Sequence, residues 1–190
     1  MPEVNQAALD FLMTRRSRPA KTLDLPIPDR TELLSLLTAA ARTPDHGKLE
    51  PWRFIVLSKD KLRSLADLVA YRGAALGHEP EKIEKAQGAY NTGHLAVAVI
   101  EVQKPSEKIP AIEQTYSAGA ACLALLNAAL ASGWGANWIS GWPSHDRGFV
   151  GSGFGLAEHE RVAGIIYLGT ERATPPERPR PNLDDIVSWE

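Results

Sequence analysis

Four cationic side chains stand within eight residues near the start of the chain. They lie in the stretch TRRSRPAK, residues 14–21, and are Arg15, Arg16, Arg18 and Lys21. Two guanidinium groups and the hydroxyl of Ser17 can hold a phosphate through charge-assisted hydrogen bonds. The alternative is a solvated cluster at the C-terminal end of a first helix, where positive charge stabilises the helix dipole. The stretch alone allows both interpretations.

Two further segments combine turn residues with side chains that could contact a ligand. In ARTPDHGKLEPWRF, residues 41–54, a loop could present the imidazole of His46, although a lone loop histidine is usually only exposed to solvent. In ANWISGW, residues 136–142, the Ser140 hydroxyl and nearby backbone amides could face a flat ligand, with Trp138 as an apolar wall. The alternative for Trp138 is a core position beside a glycine turn.

Composition limits the class of protein and its partners. The chain has 190 residues, 44% of them hydrophobic, and a formal net charge of −2. This size suits one domain over residues 1–190, and the charge supplies no basic field for nucleic acid. The single cysteine, Cys122, excludes an internal disulfide and a cysteine-rich zinc site. The polar N-terminus lacks a signal-peptide pattern and no apolar run could span a bilayer, so we expect a cytoplasmic protein without membrane contact.

The sequence has no motif for catalysis by protein side chains alone. It contains no P-loop, no G-x-G-x-x-G after a strand, no H-E-x-x-H and no serine nucleophile elbow, and its five histidines are scattered. We therefore assign no catalytic side chain and no metal site. If the protein is an enzyme, a bound cofactor carries the chemistry.

Hydrophobic patterns predict a three-layer α+β domain of about four strands and five to seven helices. Strands are expected over 52–58, 95–102 and 161–170, with a short one within 136–142. Asp29 and Glu32 form a capping-box pair at the start of a helix that runs to about Arg42. The alanine-rich helix over 117–133 has almost no polar face, so we expect it buried all round, either centrally or at a dimer interface.

Taken in order, these segments resemble the nitroreductase family of FMN-dependent oxidoreductases over nearly the whole chain. The shared motifs are R-R-S, a helix ending in R-x-P, a loop closing with P-W-x-F, the central helix, W-x-S-G and Y-L-G-T. The loop RTPDHGKLEPWRF is similar to the small single-domain branch with a P-D-H signature. The resemblance implies a nitroreductase-like fold with a mixed or antiparallel central sheet, and a central helix at the interface of a homodimer.

The resemblance also implies which residues hold the FMN phosphate. Arg15, Arg16 and Ser17 would bind the ribityl phosphate and the nearby ring edge. In the C-terminal segment RPRPNLDDIV, Arg180 resembles a late phosphate-binding arginine of the family, and Arg178 is a nearby substitute. Their combined positive charge matches a phosphate dianion.

A second set of residues would surround the flavin ring. Trp138, Ile139 and Ser140 would line it, while Arg42 and His46 would reach the FMN whose phosphate the partner chain holds. The family's basic residue two positions after the motif serine is missing, because position 19 is proline. Another arginine or lysine, namely Arg18, Lys21 or Arg42, could supply that charge.

The implied activity is ping-pong electron transfer, in which NADH or NADPH reduces the flavin at N5 and a nitroaromatic or quinone-like acceptor reoxidises it. Two alternatives stay open. One is a carrier or sensor that binds FMN without turnover on the same scaffold. The other is a helical interaction protein whose RRSR stretch is only a charged surface.

Overall fold

The computed structural model describes residues 3–190, and its centre is one five-stranded antiparallel sheet. Strand β5 pairs with β1, β3 and β4, and β2 extends the sheet beyond β3. The strands are β1 Leu23–Asp24, β2 Trp52–Ser58, β3 Leu95–Val102, β4 Gly135–Ile139 and β5 Glu160–Glu171.

Helices cover both faces of this sheet. Helices α3, α4 and α7 pack on one face, and α2 and α5 pack on the other. The helices are α1 Gln6–Thr14, α2 Arg30–Ala40, α3 Lys59–Ala75, α4 Pro80–Thr92, α5 Ala111–Ala131, α6 Trp142–His145 and α7 Arg147–Phe154. Short 3-10 turns lie at 20–22, 46–48 and 183–185.

Strand β3 shows why the sheet lies between two helical layers. All eight of its residues are buried, because successive side chains point to opposite faces and both faces are covered. Ala98 and Ile100 face the α3 side, whereas Val97 and Val99 face the α5 side. An apolar run without alternation therefore predicts a strand buried on both faces, as the structure confirms.

Several sequence predictions are confirmed in detail. The three-layer α+β fold class is correct, and β2 and β3 have the predicted bounds. The Asp29 side chain accepts from the Glu32 backbone N–H at 2.8 Å, and the Glu32 carboxylate accepts from the Asp29 N–H at 2.8 Å. This reciprocal pair satisfies two backbone donors that no helical carbonyl could reach.

Helix α5 differs from the prediction in length and in burial. It begins after Pro110, six residues before the predicted start, because the amphipathic first turns gave no uniform apolar signal. Burial on every side was wrong for the single chain. Ile112, Tyr116 and Leu123 are 52%, 68% and 45% exposed, and they form one apolar stripe away from the sheet.

Two short helices were also missed. The segment that holds α6 and α7, residues 142–154, contains one proline and three glycines, which disfavour helix in isolation. Asp146 initiates α7 by accepting from the Phe149 backbone N–H at 2.8 Å, and Arg72 holds the same carboxylate with bonds of 2.7 and 2.9 Å. Tertiary contacts therefore override the weak local propensity. No helix among residues 3–190 has the length and apolarity needed to cross a membrane.

A buried carboxylate fixes the start of β5. Glu160 receives two hydrogen bonds from the Arg53 guanidinium, at 2.7 and 2.9 Å, and one from the Ala157 backbone N–H at 3.0 Å. These bonds, the Arg53 pair first, lower the pKa of Glu160 to about 2. Because the folded pKa lies below the ordinary value, the carboxylate stabilises the fold at neutral pH. That contribution disappears as the pH falls from about 4.5 through 2.

We expect the substitution Glu160→Gln to remove this pH-dependent stabilisation. The variant should lose about 1–3 kcal/mol of unfolding free energy at pH 7, because the bonds from Arg53 lose their charge assistance. Its deficit relative to wild type should shrink as the pH falls toward 2. Urea unfolding at several pH values measures this. The control Glu158→Gln removes the same charge from an exposed position. An equal deficit in both variants would contradict the role of Glu160.

Candidate functional site

The cationic stretch is held between α1 and the edge of the sheet. Helix α1 ends at Thr14, and the Arg15 backbone N–H closes its last turn on the Phe11 carbonyl. Three residues later, the Arg18 backbone N–H donates to the Ala136 carbonyl of β4 at 2.8 Å. This bond ties the stretch to the strand that precedes the ANWISGW turn, so two separately predicted segments become neighbours.

Arg15 is the least satisfied member of the cluster. One of its terminal nitrogens donates to Ser17 Oγ at 3.1 Å, but its Nε–H is buried without an acceptor among residues 3–190. Burial, followed by the charges of Arg180, Arg16 and Arg18, lowers the pKa of the Arg15 guanidinium. A buried donor among like charges is costly unless an acceptor reaches it. The arrangement therefore favours an anionic ligand.

The C-terminal segment brings the predicted late arginine to this cluster. Glu177 accepts from Arg16 at 3.3 Å and pairs with Arg180 at 2.9 Å, so its carboxylate lies between the two guanidiniums. The Arg178 backbone N–H also donates to it at 2.9 Å. The hydrogen bond from the Arg178 N–H is the largest cause that lowers the pKa of Glu177. Arg16 and Arg180 lower it further. Residues more than 160 positions apart thus converge, and an unpredicted carboxylate joins them.

Arg18 has a structural partner of its own. Its Nε donates to Glu171 at 2.6 Å, and a terminal nitrogen donates to the Arg16 carbonyl at 3.1 Å. This engagement does not favour Arg18 as the replacement for the missing basic residue at Pro19. Arg15, Arg16 and Arg18 instead line one wall of a cavity of about 280 Å³, and Trp134 lies on another.

The end of β4 forms the second part of the site. The Trp138 indole is 36% exposed and lies over Gly164, where a Cβ atom would come within 2.1 Å of the indole nitrogen. A glycine at 164 is therefore needed for this position of the ring. Ile139 and Ser140 line a larger cavity of about 450 Å³ between α4 and α6. The alternative of a core position for Trp138 does not agree with its 36% exposure.

The loop residues Arg42 and His46 lie elsewhere, against α5. His46 Nδ1 is 2.6 Å from the Glu113 carboxylate, and the imidazole is mostly exposed. Arg42 borders a shallow groove with Thr43 and Asn127, whose side-chain oxygens are buried without partners in the described part of the chain. Among residues 3–190 of one chain, no side-chain hydrogen bond or salt bridge joins Arg42 or His46 to the arginine cluster.

Five other residues around the larger cavity were not predicted from the sequence as site residues. Lys82 and Lys85 are exposed at its rim. Their spacing in the sequence indicates only the solvent face of an amphipathic helix. Tyr90 and Tyr167, 4% and 2% exposed, read as core residues. Trp142 belongs to a helix that the pattern missed. Only the fold shows that these five surround one space.

The site can hold an elongated ligand with an anionic end and a flat end. The arginine cluster suits the anion, and Ile139 and Ser140 offer an apolar surface with one hydroxyl on the α4 side of the sheet. Trp138 lies on the opposite face, because successive residues of a strand point to opposite sides. No group of histidine, cysteine, aspartate or glutamate side chains within residues 3–190 could hold a metal ion. The chemistry of such a site would come from the bound ligand.

Comparison with known proteins identifies relatives of this arrangement. The model of the nitroreductase family matches residues 12–170. "Putative NAD(P)H nitroreductase YdjA" of Escherichia coli K12 is 34% identical over 163 residues, which cover 86% of this chain and 87% of the relative. A protein of Haemophilus influenzae with the same descriptive name is 35% identical over 165 residues, which cover 86% of this chain and 88% of the relative.

Solved structures agree on the fold. The nitroreductase-like protein of Bacillus cereus superposes with a TM-score of 0.79 at 20% identity, over 100% of this chain and 98% of the other. An FMN-bound nitroreductase of Bacteroides fragilis superposes with a TM-score of 0.72 at 21% identity, over 96% of this chain and 98% of the other. The family match spans Arg15, Arg16 and Arg18, the α2–β2 loop and the β4 turn, whereas Arg180 lies beyond it. The chain belongs to the nitroreductase family, which confirms the resemblance carried by its ordered motifs.

Proposed function

We propose that the protein is an FMN-dependent oxidoreductase that uses NADH or NADPH to reduce nitroaromatic, quinone-like or related acceptors. The observation that carries the proposal is the buried Nε–H of Arg15, which has no acceptor among residues 3–190 and lies in a cluster with Arg16 and Arg180 next to β4. The names of the bacterial relatives and the FMN in the Bacteroides fragilis structure support the choice of cofactor and co-substrate. In this proposal residues 1–190 act as one FMN-binding domain.

The residues present fit the phosphate of FMN. Arg15, Arg16 and Arg180 supply cationic donors, and Ser17 Oγ, 3.1 Å from Arg15, supplies a neutral one. A phosphate has the oxygens needed to accept from the orphaned Arg15 Nε–H. The dianion would also relieve the repulsion among the guanidiniums. Glu177 would have to yield part of its contact with Arg16 and Arg180.

The residues at the end of β4 fit the flat part of the same molecule. Ile139 and Ser140 would orient the ring on the α4 side of β4, where the apolar surface would keep water from it. Trp138, on the opposite face of the sheet, would contact the ring only at its edge. When bound, FMN supplies the redox chemistry by accepting a hydride at N5 and passing two electrons on. The overall reaction converts NAD(P)H, a proton and the oxidised acceptor into NAD(P)+ and the reduced acceptor. No side chain is needed as a covalent catalyst.

Pairing of two chains would complete the site. The exposed stripe of α5, with Ile112, Tyr116 and Leu123, is the kind of apolar surface that a second copy covers. The side-chain oxygens of Thr43 and Asn127, which have no hydrogen-bond partner in the part of the chain that the structure describes, lie beside it and would gain partners at an interface. Arg42 and His46 flank this surface. In a homodimer they would reach the FMN held by the partner's arginine cluster.

The first experiment is the visible spectrum of the purified protein, followed by addition of NADH or NADPH without oxygen. We expect flavin absorbance that bleaches on addition and returns with a nitroaromatic or quinone acceptor. Flavin that neither bleaches nor turns over would favour a carrier or sensor. A colourless protein that cannot be reconstituted with FMN would overturn the proposal and favour an interaction protein.

We expect the substitution Arg15→Ala to weaken FMN binding about ten- to a hundredfold. The reason is the loss of one charge-assisted phosphate bond, which contributes roughly 1.5–3 kcal/mol. Quenching of FMN fluorescence on titration of the apoprotein measures the affinity. The matched control Arg63→Ala removes an exposed arginine on α3 and should leave it unchanged.

The variant Glu177→Gln should shift the same affinity in the opposite direction. Glutamine keeps a hydrogen-bond acceptor for Arg16 and Arg180 but no longer competes with phosphate as an anion, so FMN should bind about two- to fivefold tighter. Weaker binding in Glu177→Gln would show that the carboxylate positions the arginines instead. Unchanged FMN retention in Arg15→Ala would argue against the assignment of the cluster.

We expect Leu123→Glu to yield a monomer that retains FMN poorly. A carboxylate in an apolar interface is strongly unfavourable, whereas the same position is 45% exposed in the single chain and should tolerate it. Sedimentation velocity reports the assembly state, and the absorbance ratio reports FMN content. Tyr71→Glu, at a 70% exposed position on α3, is the control. A monomeric variant with full FMN content would contradict a shared site.

A further inference from the structure

We propose that His46 donates the proton that completes reduction of the acceptor, and that Glu113 is the positioning residue that orients its imidazole. This inference rests on the proposed function, because it assigns roles within the site that two chains would complete. His46 Nδ1 lies 2.6 Å from a Glu113 carboxylate oxygen, although the two residues are 67 positions apart. The contact is therefore made by the fold and not by the loop alone.

The loop before β2 has an unusual backbone. Gly47, Lys48 and Glu50 have φ values of 75°, 54° and 48°, in the left-handed region that residues other than glycine rarely adopt. The Asp45 carboxylate stabilises this turn by accepting from two backbone N–H groups further along the loop, at 3.2 and 2.7 Å. Such outliers cluster at functional sites, where the surrounding structure fixes them.

Helix α5 and the segment before it keep this loop in place. The Ser117 hydroxyl of α5 donates to the Pro44 carbonyl at 2.8 Å. Ile109 packs so closely against Gly47 that a Cβ atom at that position would overlap the Ile109 side chain. The loop is thus fixed on both sides of the imidazole, and the carboxylate from the first turn of α5 sets the orientation of the ring.

Folding stability does not account for the pair. The His46 and Glu113 side chains are 65% and 42% exposed, and exposed ion pairs add little to stability. The consequence of the contact is chemical instead. Because the carboxylate accepts from the Nδ1–H, it leaves Nε2 as the ring nitrogen available to exchange a proton. Histidine is the side chain whose charge ordinarily changes near neutral pH, which suits it to this role.

The other charged and titratable groups around the imidazole do not replace this pair. Asp45 and Tyr116 line the same cavity of about 300 Å³ as His46 and Glu113, but the Asp45 carboxylate is already engaged by backbone N–H groups. Further charges on the elements that pack here are Arg42, Lys48, Glu50, Glu107 and Lys108. Among residues 3–190, Glu113 is the carboxylate that pairs with the ring.

The proposed reaction needs a source of protons. Reduction of a quinone to its hydroquinone adds two electrons and two protons, and a hydride carries both electrons with only one of the protons. An oxygen of the acceptor is therefore left negative until an O–H bond forms there. We assign this step to the imidazolium of His46: its Nε2–H bond breaks, the proton moves to that oxygen, and water returns a proton to the ring. Glu113 stays bonded to the Nδ1–H throughout, so the ring keeps its orientation.

The pair lies where the proposed homodimer would need it. Tyr116, which lines the cavity beside His46, also belongs to the exposed α5 stripe with Ile112 and Leu123. A second copy that covers this stripe would bring the imidazole to the flavin bound by the other chain. Each site would then combine the arginine cluster of one chain with the proton donor of the other.

The experiment separates proton transfer from electron transfer. FMN-loaded wild type, His46→Ala and the control His159→Ala are reduced with NADH or NADPH without oxygen and then mixed with menadione or ferricyanide in a stopped-flow instrument. Menadione, a quinone, must gain protons on reduction, whereas ferricyanide takes electrons alone. The rate constant of bound flavin is followed, so partial loss of FMN lowers only the amplitude.

We expect His46→Ala to slow reoxidation by menadione about ten- to a hundredfold and to leave reoxidation by ferricyanide within about twofold. Added imidazole should restore part of the menadione rate, because a free imidazole can carry the missing proton. His159 is an exposed histidine before β5, so its replacement should change neither rate.

A second measurement does not depend on flavin. Side-chain ¹⁵N NMR of the protein labelled at histidine reports which ring nitrogen carries the proton, and the His46→Ala spectrum identifies the His46 signals. When the ring is neutral, we expect the Nδ1–H form in wild type and the commoner Nε2–H form in Glu113→Ala. The control Glu107→Ala removes an exposed carboxylate before α5 and should keep the Nδ1–H form. Glu113→Ala should also slow the menadione reaction, by about three- to tenfold, and leave the ferricyanide reaction unchanged.

The outcomes separate this proposal from the general function. Equal slowing with both acceptors in His46→Ala would overturn it, because the residue would then only position the flavin. An unchanged menadione rate after normal reduction by NADH or NADPH would also overturn it and would leave the oxidoreductase function intact. An Nε2–H form in wild type would contradict the role of Glu113. A protein that neither binds FMN nor oxidises NAD(P)H would overturn both proposals.

Discussion

Crowding of like charges at one edge of the sheet is the constraint on which the site depends. Arg15, Arg16, Arg18 and Arg180 stand close enough for each of the others to disfavour the charge on Arg15. The chain offsets part of this repulsion with Glu171 and Glu177. It leaves the buried Nε–H of Arg15 without an acceptor among the described residues, 3–190. A fold that keeps such a group without an internal acceptor is complementary to an anion from outside.

Strand β5 makes that crowding possible. It pairs with β1, β3 and β4, so the segments that carry the site converge on one strand. Glu171 at its end holds Arg18, and the bond from Arg18 N–H to Ala136 fixes the cationic stretch against β4. The Glu160 carboxylate anchors the opposite end through Arg53. The rigid sheet therefore sets the distances, while loops and the C-terminal segment bring the charges.

How far sequence reasoning succeeded differs between the elements. Strands β2 and β3 and the Asp29 capping box follow from local rules, so their bounds could be predicted. Helices α6 and α7 could not, because their glycine-rich segment folds only through tertiary bonds such as that from Arg72 to Asp146.

The candidate site divides in the same way. The motif residues Arg15 and Ser17 were visible, because guanidinium and hydroxyl groups in one short stretch indicate anion binding. Lys85 and Tyr167 were not, since a lysine on an amphipathic helix and a tyrosine in a core strand are ordinary in isolation. The contact of Glu177 with two arginines joins residues 161 positions apart, and no local pattern encodes it. The sequence alone does not show which residues distant along the chain lie close together in the fold.

The segment after β5 contributes Glu177 and Arg180 to the cluster, yet most of it has neither helix nor strand to hold it. If Arg180 binds the cofactor, FMN binding and the packing of this C-terminal segment against the cluster are thermodynamically linked. Each then stabilises the other. Proteolytic cleavage between Glu171 and Arg180 would then weaken FMN binding without changing the sheet or the arginines at positions 15 and 16. A loss of flavin absorbance during purification would then indicate damage to this C-terminal segment rather than to the residues around the ring.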